Sequence, residues 1–284
     1  MLKRTIDPNK PKVKLPTGKN YLFVKDIVNS HHLHTICQSG NCPNIAECWN
    51  NKTATFMILG DICTRNCRFC SVKTGKPLPP DKAEPERIAN SVFLMNLDYC
   101  VITSVDRDDL EDGGSFIWAK TIENIHKKSP KTTIETLIPD FKFNTQHLDL
   151  VINAKPDIIS HNLETVKRLS PKFRPQADYY RSLNVIKYIS DNNIVAKSGI
   201  MVGIGETTDE IYETMDDLLN SGCSILTIGQ YLQPTKNQLP VERFVTTEEF
   251  EKYKETGLRK GFKAVESGPL VRSSYNAHKH KKTI

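Results

Sequence analysis

Short apolar runs alternate along the chain with segments that carry helix signals. Six runs predict buried strands, at residues 54–62, 99–105, 132–139, 157–163, 194–203 and 224–232. Helices are predicted to begin near Pro85, Ser115, Asn144, Tyr179, Thr207 and Thr246. The residues Thr207-Thr208-Asp209-Glu210, for example, supply the hydroxyl and acidic groups that favour a helix start. Six strand–helix units with short connections predict an α/β fold of the parallel barrel type.

Length and composition bound the class of protein. The chain has 284 residues, of which 38% are hydrophobic, and this is enough for one sizeable core. No apolar run approaches the roughly 20 residues that span a bilayer, and residues 1–14 lack the apolar segment of an export signal. The sequence therefore predicts a soluble protein that makes no membrane contact.

The net charge of +6 raises the question of nucleic-acid binding. Lysine and arginine are spread along the chain, and only the tail from His278 to Lys282 forms a basic run, which is more typical of a solvated tail. We therefore predict no nucleic-acid partner. A mildly positive surface is equally compatible with an acidic carrier protein as substrate.

Six of the eight cysteines fall in two triplets. Cys37, Cys42 and Cys48 form the first, and Cys63, Cys67 and Cys70 form the second, with the spacing Cys-x3-Cys-x2-Cys. Three thiolates on one loop can hold a cubane iron–sulfur cluster and leave its fourth iron open, whereas a structural zinc site prefers four ligands. Clustered metal-ligand cysteines fit a reducing compartment, so the cytoplasm is predicted. The remaining two, Cys100 and Cys223, are predicted to be core residues.

The second triplet, Cys63-Thr64-Arg65-Asn66-Cys67-Arg68-Phe69-Cys70, resembles the signature of the radical S-adenosylmethionine (SAM) enzymes. This resemblance implies a partial (β/α)6 TIM-type barrel with an N-terminal cluster-binding extension. It also implies that SAM binds the open iron of the cluster held by these three cysteines. The reduced cluster would then pass an electron to SAM and yield a 5′-deoxyadenosyl radical.

Two further motifs resemble those of the lipoyl synthase family. The first triplet lies in the context Cys42-Pro-Asn-Ile-Ala-Glu-Cys48-Trp, and Arg272-Ser273-Ser274-Tyr275 matches a motif whose serine ligates the auxiliary cluster of that family. The resemblance implies two [4Fe-4S] clusters, the auxiliary one held by Cys37, Cys42, Cys48 and Ser274. The implied reaction is the insertion of two sulfur atoms at C6 and C8 of the octanoyl group on a lipoyl-carrier protein. Sequence chemistry alone does not distinguish Ser273 from Ser274 as the ligand.

The implied domain boundaries and partners follow from the same resemblance. Residues 1–52 would form the N-terminal arm and auxiliary-cluster loop, 53–265 the radical SAM partial barrel, and 266–284 a C-terminal segment. Besides the octanoylated carrier, the implied partners are an electron donor such as flavodoxin or ferredoxin, and an iron–sulfur carrier. The implied catalytic and metal-binding residues are the six cysteines and Ser274.

Polar residues near the predicted strand ends are candidates for SAM contacts, because barrel active sites lie at the carboxyl ends of the strands. Thr103 and Ser104 end one strand, where radical SAM enzymes hold the amino group of SAM, and family resemblance suggests that Asn162 also contacts SAM. Glu135 lies within an apolar strand and needs a partner, which a cofactor ammonium or ribose could supply. Arg174 is a candidate clamp for the SAM carboxylate or ribose.

Other interpretations remain open at this point. A different radical SAM sulfur-inserting enzyme, such as a biotin synthase or a tRNA methylthiotransferase, has the same cysteine loop, although a tRNA enzyme should carry an added RNA-binding module. A non-enzymatic iron–sulfur electron carrier would need neither the six-unit barrel nor an open iron. A structural zinc protein would be recognised by metal analysis that shows zinc without iron and sulfide.

Overall fold

The fold was analysed in a computed structural model of the chain. It describes residues 7, 9–13, 15, 17–51, 54–275 and 277–283. Its ten strands are β1 His34–Thr35, β2 Thr55–Ile58, β3 Ile62–Cys63, β4 Lys73–Thr74, β5 Tyr99–Ser104, β6 Thr133–Leu137, β7 Ile158–Ser160, β8 Val195–Val202, β9 Ile225–Gln230 and β10 Ala264–Gly268.

In the described part of the chain, ten α-helices and two 3₁₀ segments connect and flank these strands. The helices are α1 Lys19–Ser30, α2 Ile36–Ser39, α3 Ile45–Asn50, α4 Glu84–Met95, α5 Ser115–Lys128, α6 Thr145–Asn153, α7 Ser170–Phe173, α8 Tyr179–Asp191, α9 Thr208–Asn220 and α10 Thr247–Lys260. The 3₁₀ segments are Phe141–Phe143 and Ala277–Thr283. All six helices predicted from the sequence are present, and they are α4, α5, α6, α8, α9 and α10.

Eight strands form one sheet in the order β1-β2-β5-β6-β7-β8-β9-β10. Strands β2 to β10 of this sheet pair in parallel, whereas β1 pairs with β2 in antiparallel fashion. The six predicted units are confirmed as β2, β5, β6, β7, β8 and β9 with the helices that follow them. The two edge strands, β1 and β10, were not predicted from the sequence. Within the described residues β1 and β10 are not paired with each other, so the sheet is an open, partial barrel.

Local sequence signals fix several of the helices that cover this sheet. Helix α9 begins with a capping box, in which Thr207 accepts from the Glu210 amide and the Glu210 side chain accepts from the Thr207 amide. Thr246 and Glu249 form the same arrangement at the start of α10. These caps pair amides that the first helical turn would otherwise leave without partners. They therefore determine where each helix begins after its strand.

Side chains alternate along each strand between an outer layer, packed against the helices, and the interior of the barrel. The main apolar core lies between sheet and helices and includes Cys100, Ile102, Ile134 and Leu226. A second group faces the interior near the amino ends of the strands and comprises Tyr99, Val101, Ile158, Ile225 and Ala277. The amino end of the interior is thus filled with side chains, and free space is left at the carboxyl end.

The prediction that the basic run from His278 to Lys282 is a solvated tail is wrong for its central part. Residues Ala277–Thr283 form a 3₁₀ segment, in which Ala277 joins the interior group and the His280 side chain is only 1% exposed. Lys279 and Lys281 remain exposed, whereas the side chains of residues 278 and 282 lie outside the described part of the structure. The 3₁₀ segment Ala277–Thr283 therefore packs at the amino end of the barrel, where it covers apolar side chains of the interior.

None of the helices in the described ranges has both the length and the apolar content that a bilayer crossing requires.

Candidate active site

A cavity of about 460 Å³ opens at the carboxyl ends of the barrel strands. Its wall combines residues from the sheet, the two cysteine loops and the C-terminal segment. The lining residues that the sequence analysis had predicted are Cys37, Cys42, Cys63, Cys67, Cys70, Thr103, Ser104, Asn162, Arg174 and Ser274. The structure therefore brings ten of the twelve predicted site residues into one space, and leaves Cys48 and Glu135 outside its lining.

The first cysteine triplet is arranged by two short helices. Cys37 lies in α2, Cys48 lies in α3, and Cys42 lies in the turn between them, where its amide donates to the carbonyl of Cys37 over 3.0 Å. Burial raises the pKa of the Cys48 thiol to about 12, and the nearby thiols of Cys37 and Cys42 raise it further through charge repulsion. The three thiols thus form one group, although Cys48 lies behind the cavity wall.

The second triplet lies in the loop between β2 and α4, bracketed by the short parallel pair β3 and β4. Backbone amides approach its sulfur atoms: Arg65 N and Asp106 N lie 3.4 and 3.3 Å from Cys63 Sγ, and Val72 N lies 3.5 Å from Cys70 Sγ. Hydrogen bonds to sulfur are one of the ways in which proteins stabilise and tune iron–sulfur clusters. The loop is therefore built to receive negative charge on its sulfurs.

All eight cysteines are free thiols, and burial raises the pKa of each site thiol. The pKa of Cys37 rises to about 11, that of Cys63 to about 11 and that of Cys67 to about 12, with burial as the main cause. Thiolate ligands thus need a positive metal centre to form here. The described residues contain no group of three His, Cys, Asp or Glu side chains placed to hold a single metal ion. In a cubane, by contrast, each thiolate binds a different iron.

The Arg-Ser-Ser-Tyr motif is fixed to both the barrel and the first cysteine loop. Ser273 Oγ accepts from Asn162 Nδ2 over 2.6 Å, and the Ser273 carbonyl accepts from Lys197 Nζ over 2.6 Å. The Tyr275 hydroxyl donates to Glu47 Oε1 over 3.0 Å, beside Cys48. Ser274, which lines the cavity, has no side-chain hydrogen bond to a described residue. Its hydroxyl is the one in the motif that remains open to a ligand role.

A buried ion-pair network supports the second cysteine loop, and the sequence analysis did not anticipate it. Arg65 lies between Cys63 and Cys67 and pairs with Asp106 at 3.3 Å, Asp108 at 2.7 Å and Asp140 at 2.7 Å. These aspartates follow β5 and β6, so one guanidinium ties the loop to two strand ends. Acidic residues after consecutive parallel strands were the available signal, because such strand ends meet at one edge of a sheet.

Besides Arg65 and Asp140 of this network, the cavity lining carries the carboxylates of Asp106 and Glu164 and the guanidiniums of Arg174 and Arg272. Burial raises the pKa of Asp106 to about 6 and also raises the pKa of Glu164, while Arg174 acts in the opposite direction on both. Arg174 Nη1 donates to the Leu163 carbonyl over 2.9 Å and Nη2 donates to Ser182 Oγ over 3.2 Å. No carboxylate within 4.0 Å pairs with Arg174 among the described residues. The cavity thus offers separated positive and negative groups.

The structure places Glu135 away from the cavity lining. Its carboxylate is fully buried inside the barrel, accepting from Lys197 Nζ over 2.6 Å and from the Tyr99 hydroxyl over 2.5 Å. The partner of Glu135, which the sequence predicted to be a cofactor group, is therefore a lysine of β8.

Thr103 and Ser104 lie in the cavity lining, as predicted, and the Thr103 hydroxyl donates to the Leu137 carbonyl over 3.1 Å.

His161 also lines the cavity, and its place in the sequence did not distinguish a catalytic histidine from one that only packs. Its Nδ1 donates to the Ile138 carbonyl over 2.9 Å, so Nε2 is the acceptor of the neutral ring. This Nε2 is buried and has no hydrogen-bond partner in the described residues. Burial, with Arg174 nearby, lowers the pKa of His161 to about 4. The cavity therefore contains a neutral acceptor available for a bound donor.

The barrel and the three-cysteine loop together define a radical SAM protein. The sequence model described as the radical SAM superfamily matches residues 57–218, which contain the second triplet and the strands around it. Among solved structures, the fold is similar to that of Streptococcus suis SuiB bound to S-adenosylmethionine, with a TM-score of 0.60 at 10% identity over 89% of this chain and 58% of that one. Methylornithine synthase (PylB) gives a TM-score of 0.52 at 13% identity over 88% of this chain and 83% of that one.

Sequence relatives identify the family within this superfamily. Lipoyl synthases of Bacteroides fragilis and Phocaeicola vulgatus are each 58% identical to this chain, over 98% and 96% of it and 96% of each relative. The mitochondrial lipoyl synthase of Nematostella vectensis is 54% identical over 96% of both chains. The chain belongs to the lipoyl synthase family. As a member of it, the protein is a radical SAM sulfurtransferase that uses SAM and [4Fe-4S] clusters.

Proposed function

We propose that this protein inserts two sulfur atoms, at C6 and C8, into the octanoyl group of a lipoyl-carrier protein. The observation that carries this proposal is the shared cavity, because cysteines of both triplets and Ser274 line one space at the mouth of the barrel. A substrate chain in that space lies within reach of both predicted metal centres. Family membership supplies the reaction, and the cavity supplies a place for both of its chemical steps.

The proposed ligands of the first centre are Cys37, Cys42, Cys48 and Ser274. Those of the second are Cys63, Cys67 and Cys70, which leave a fourth iron for SAM. When bound, the second cluster with SAM supplies hydrogen abstraction, and the first cluster supplies sulfur. The residues fit these groups, since seven soft or hydroxyl donors converge in two sets and backbone amides point at the sulfurs of the second set.

SAM carries a sulfonium, an ammonium and a carboxylate, and the charged lining of the cavity fits that pattern. We propose that Arg174 binds the carboxylate, since its guanidinium has no carboxylate partner within the described residues. Thr103, Ser104 and Asn162 are the proposed polar contacts, and the Ser104 hydroxyl and Asn162 Oδ1 are buried without a described partner. The carboxylates of Asp106 and Glu164 favour the two cationic groups. Glu135 is not part of this proposal, because Lys197 already balances its charge.

An octanoyl chain needs an apolar path between the two centres. Leu137, Ile138, Ile200 and Met201 line the same cavity from strands β6 and β8 and the loop after β6. Their side chains can bury the chain and keep water from the reacting carbons. The protein's contribution to the chemistry is then to hold the chain in place and to exclude competing reactions.

Anaerobic reconstitution followed by assay with an octanoylated peptide and SAM tests the proposal. The protein should hold about eight irons, four for each triplet. Cys63→Ala should abolish 5′-deoxyadenosine formation, whereas Cys42→Ala should retain it and lose sulfur insertion. Mass spectrometry of the peptide distinguishes unmodified, monothiolated and fully converted chains. A ceiling of about four irons, or full conversion by Cys42→Ala, would refute the assignment of the two centres.

Two partners and the compartment also remain proposals. An electron donor such as flavodoxin or ferredoxin would reduce the second centre, and an iron–sulfur carrier would rebuild the first centre after sulfur is consumed. The free thiols of all eight cysteines support a reducing compartment such as the cytoplasm. Reconstituted activity with a purified flavodoxin in place of a chemical reductant would test the first of these partners.

A further inference from the structure

The ammonium of Lys197 is buried in the interior of the barrel, far from solvent. Its side chain is 0% exposed, and its three N–H groups have three acceptors: Glu135 Oε1 at 2.6 Å, the Ser273 carbonyl at 2.6 Å and His280 Nδ1 at 3.3 Å. A buried ammonium is tolerated only when its charge and all its donors are matched. Glu135 supplies the negative charge that balances the ammonium. The other two contacts therefore show which part of the chain Lys197 positions.

Both of these other contacts belong to the C-terminal segment. The carbonyl of Ser273 precedes Ser274 directly, and His280 lies in the 3₁₀ segment that packs at the amino end of the barrel. Lys197 therefore joins β8 to two points of the segment that carries the serine motif. The side chain of Ser273 is also bound to the barrel, because its hydroxyl accepts from Asn162 Nδ2 over 2.6 Å.

The carbonyl oxygen and the hydroxyl oxygen of Ser273 thus both accept hydrogen bonds from the barrel wall. The hydroxyl of Ser274, by contrast, is free to face the cavity that it lines. We propose that Lys197, with Glu135 as its counter-ion, is a positioning residue that presents Ser274 to the first cysteine triplet. This inference rests on the proposed role of Ser274 as a cluster ligand.

The test measures how firmly the first centre holds its iron, in full-length protein whose second triplet is removed by Cys63→Ala, Cys67→Ala and Cys70→Ala. After anaerobic reconstitution, the rate of iron release to a chelator is followed. Ser274→Ala should accelerate release, and Lys197→Met should accelerate it roughly tenfold, the lower end of the range for outer partners of metal ligands. Lys260→Met, which breaks a surface pair with Asp216 on the outer helices, is the matched control and should match the parent.

A double variant separates positioning from general loosening of the fold. If Lys197 acts through Ser274, Lys197→Met should add nothing to the release rate of Ser274→Ala, because the contact that it supports is already gone. If Lys197→Met does not fold, Glu135→Gln keeps the shape of the network without its charge, and the same comparison is made with it. A parental release rate in the Lys197 or Glu135 variant, or an additive effect in the double variant, would overturn the inference. No effect of Ser274→Ala itself would instead refute the ligand assignment.

Discussion

His161 illustrates how one buried side chain responds to its surroundings. Its ring is 3% exposed, and burial is the main reason that its pKa falls from 6.5 to about 4. Arg174 and Arg65 also lower this pKa, whereas Asp140 acts in the opposite direction. In the unfolded chain the ring would titrate near its ordinary value. Between these two pKa values the unfolded state binds more protons than the native state. The free energy of unfolding is therefore highest above pH 6.5 and decreases as the pH falls from 6.5 toward 4.

The His161→Asn variant should therefore change the pH dependence of stability. Between pH 7.5 and pH 5.5, the free energy of unfolding of the parent should fall by roughly 1 kcal/mol more than that of the variant, whose side chain does not titrate. Urea unfolding at the two pH values measures this difference. His126→Asn, at a histidine outside the cavity, is the control, and equal pH dependence of the parent and His161→Asn would contradict the assignment.

Arg174, whose guanidinium has no carboxylate partner among the described residues, is the proposed ligand of the SAM carboxylate. Arg174→Ala should weaken SAM binding by about 1.5 to 3 kcal/mol, the range for a hydrogen bond to a charged group. Calorimetry with reconstituted protein measures the affinity. Lys172→Ala, an exposed residue two positions earlier, should bind SAM as the parent does. Unchanged affinity in Arg174→Ala would give the arginine a structural role only.

The metal-ligand residues could be predicted from the sequence, whereas the buried ion pairs around them could not. The cysteine spacing and the serine motif depend on local sequence, so the residues could be named directly, and the structure brings most of them to one cavity. Glu135 was expected to need a partner, and it has one, but the choice between a cofactor and Lys197 depends on which side chains meet across the barrel. The register of the strands determines whether Glu135 and Lys197 come into contact, and a single sequence does not reveal that register.

Among the elements, the loop of the second triplet depends on one arginine. Removing Arg65 would take this guanidinium from the buried carboxylate of Asp140 and the half-buried carboxylate of Asp106, although Asp140 would keep Arg181 at 2.8 Å. Arg65→Met should therefore lower the free energy of unfolding by about 3 to 5 kcal/mol, as expected when one member of a buried ion pair is removed. Chemical denaturation measures this loss. Arg168→Met removes an exposed pair with Glu210 and should change stability little, and similar losses in both variants would contradict the argument.

The predicted and missed strands differ in how they are buried. The six predicted strands are buried on both faces, because helices cover one side and the barrel interior lies on the other. Strand β10 has the sequence Ala-Val-Glu-Ser-Gly and is only partly buried, and β1 contains two residues. Edge strands of this kind carry no apolar run. Pairing with β9 and β2 makes them strands, and that pairing was not visible in their own composition.

For the whole molecule, the C-terminal segment completes the interior. Ala277→Asp should place a carboxylate among Tyr99, Val101 and Ile158 and lower the free energy of unfolding by several kcal/mol, since burying an unpaired charge is costly. Thermal unfolding of the reconstituted protein measures the effect. Lys279→Asp, at an exposed position of the same segment, makes a similar change without burial. Equal melting temperatures for the two variants would show that the segment does not fill the interior.

The number of strand–helix units, and hence the partial barrel, followed from the alternation of elements along the sequence. The fate of the C-terminal residues did not, because His278 to Lys282 is polar and basic as expected of a solvated tail. The burial of His280 within this run depends on the interior of a sheet that does not close, and on Lys197, which pairs with Glu135 and donates to His280 Nδ1. Such complementarity is a property of the assembled barrel.

Hydrogen bonds of the first cysteine loop with the C-terminal segment span most of the chain. Asn44 Nδ2 donates to the Leu270 carbonyl across 226 positions, and Tyr275 donates to Glu47 across 228. Contacts so distant in sequence form late in folding, because the chain loses entropy when a long loop closes, before the contact itself provides stabilisation. The second triplet spans only residues 63–70, so its thiols are neighbours in a nascent chain. In refolding experiments, the second centre should therefore accept iron before the barrel is complete, and the first should gain its serine ligand only afterwards.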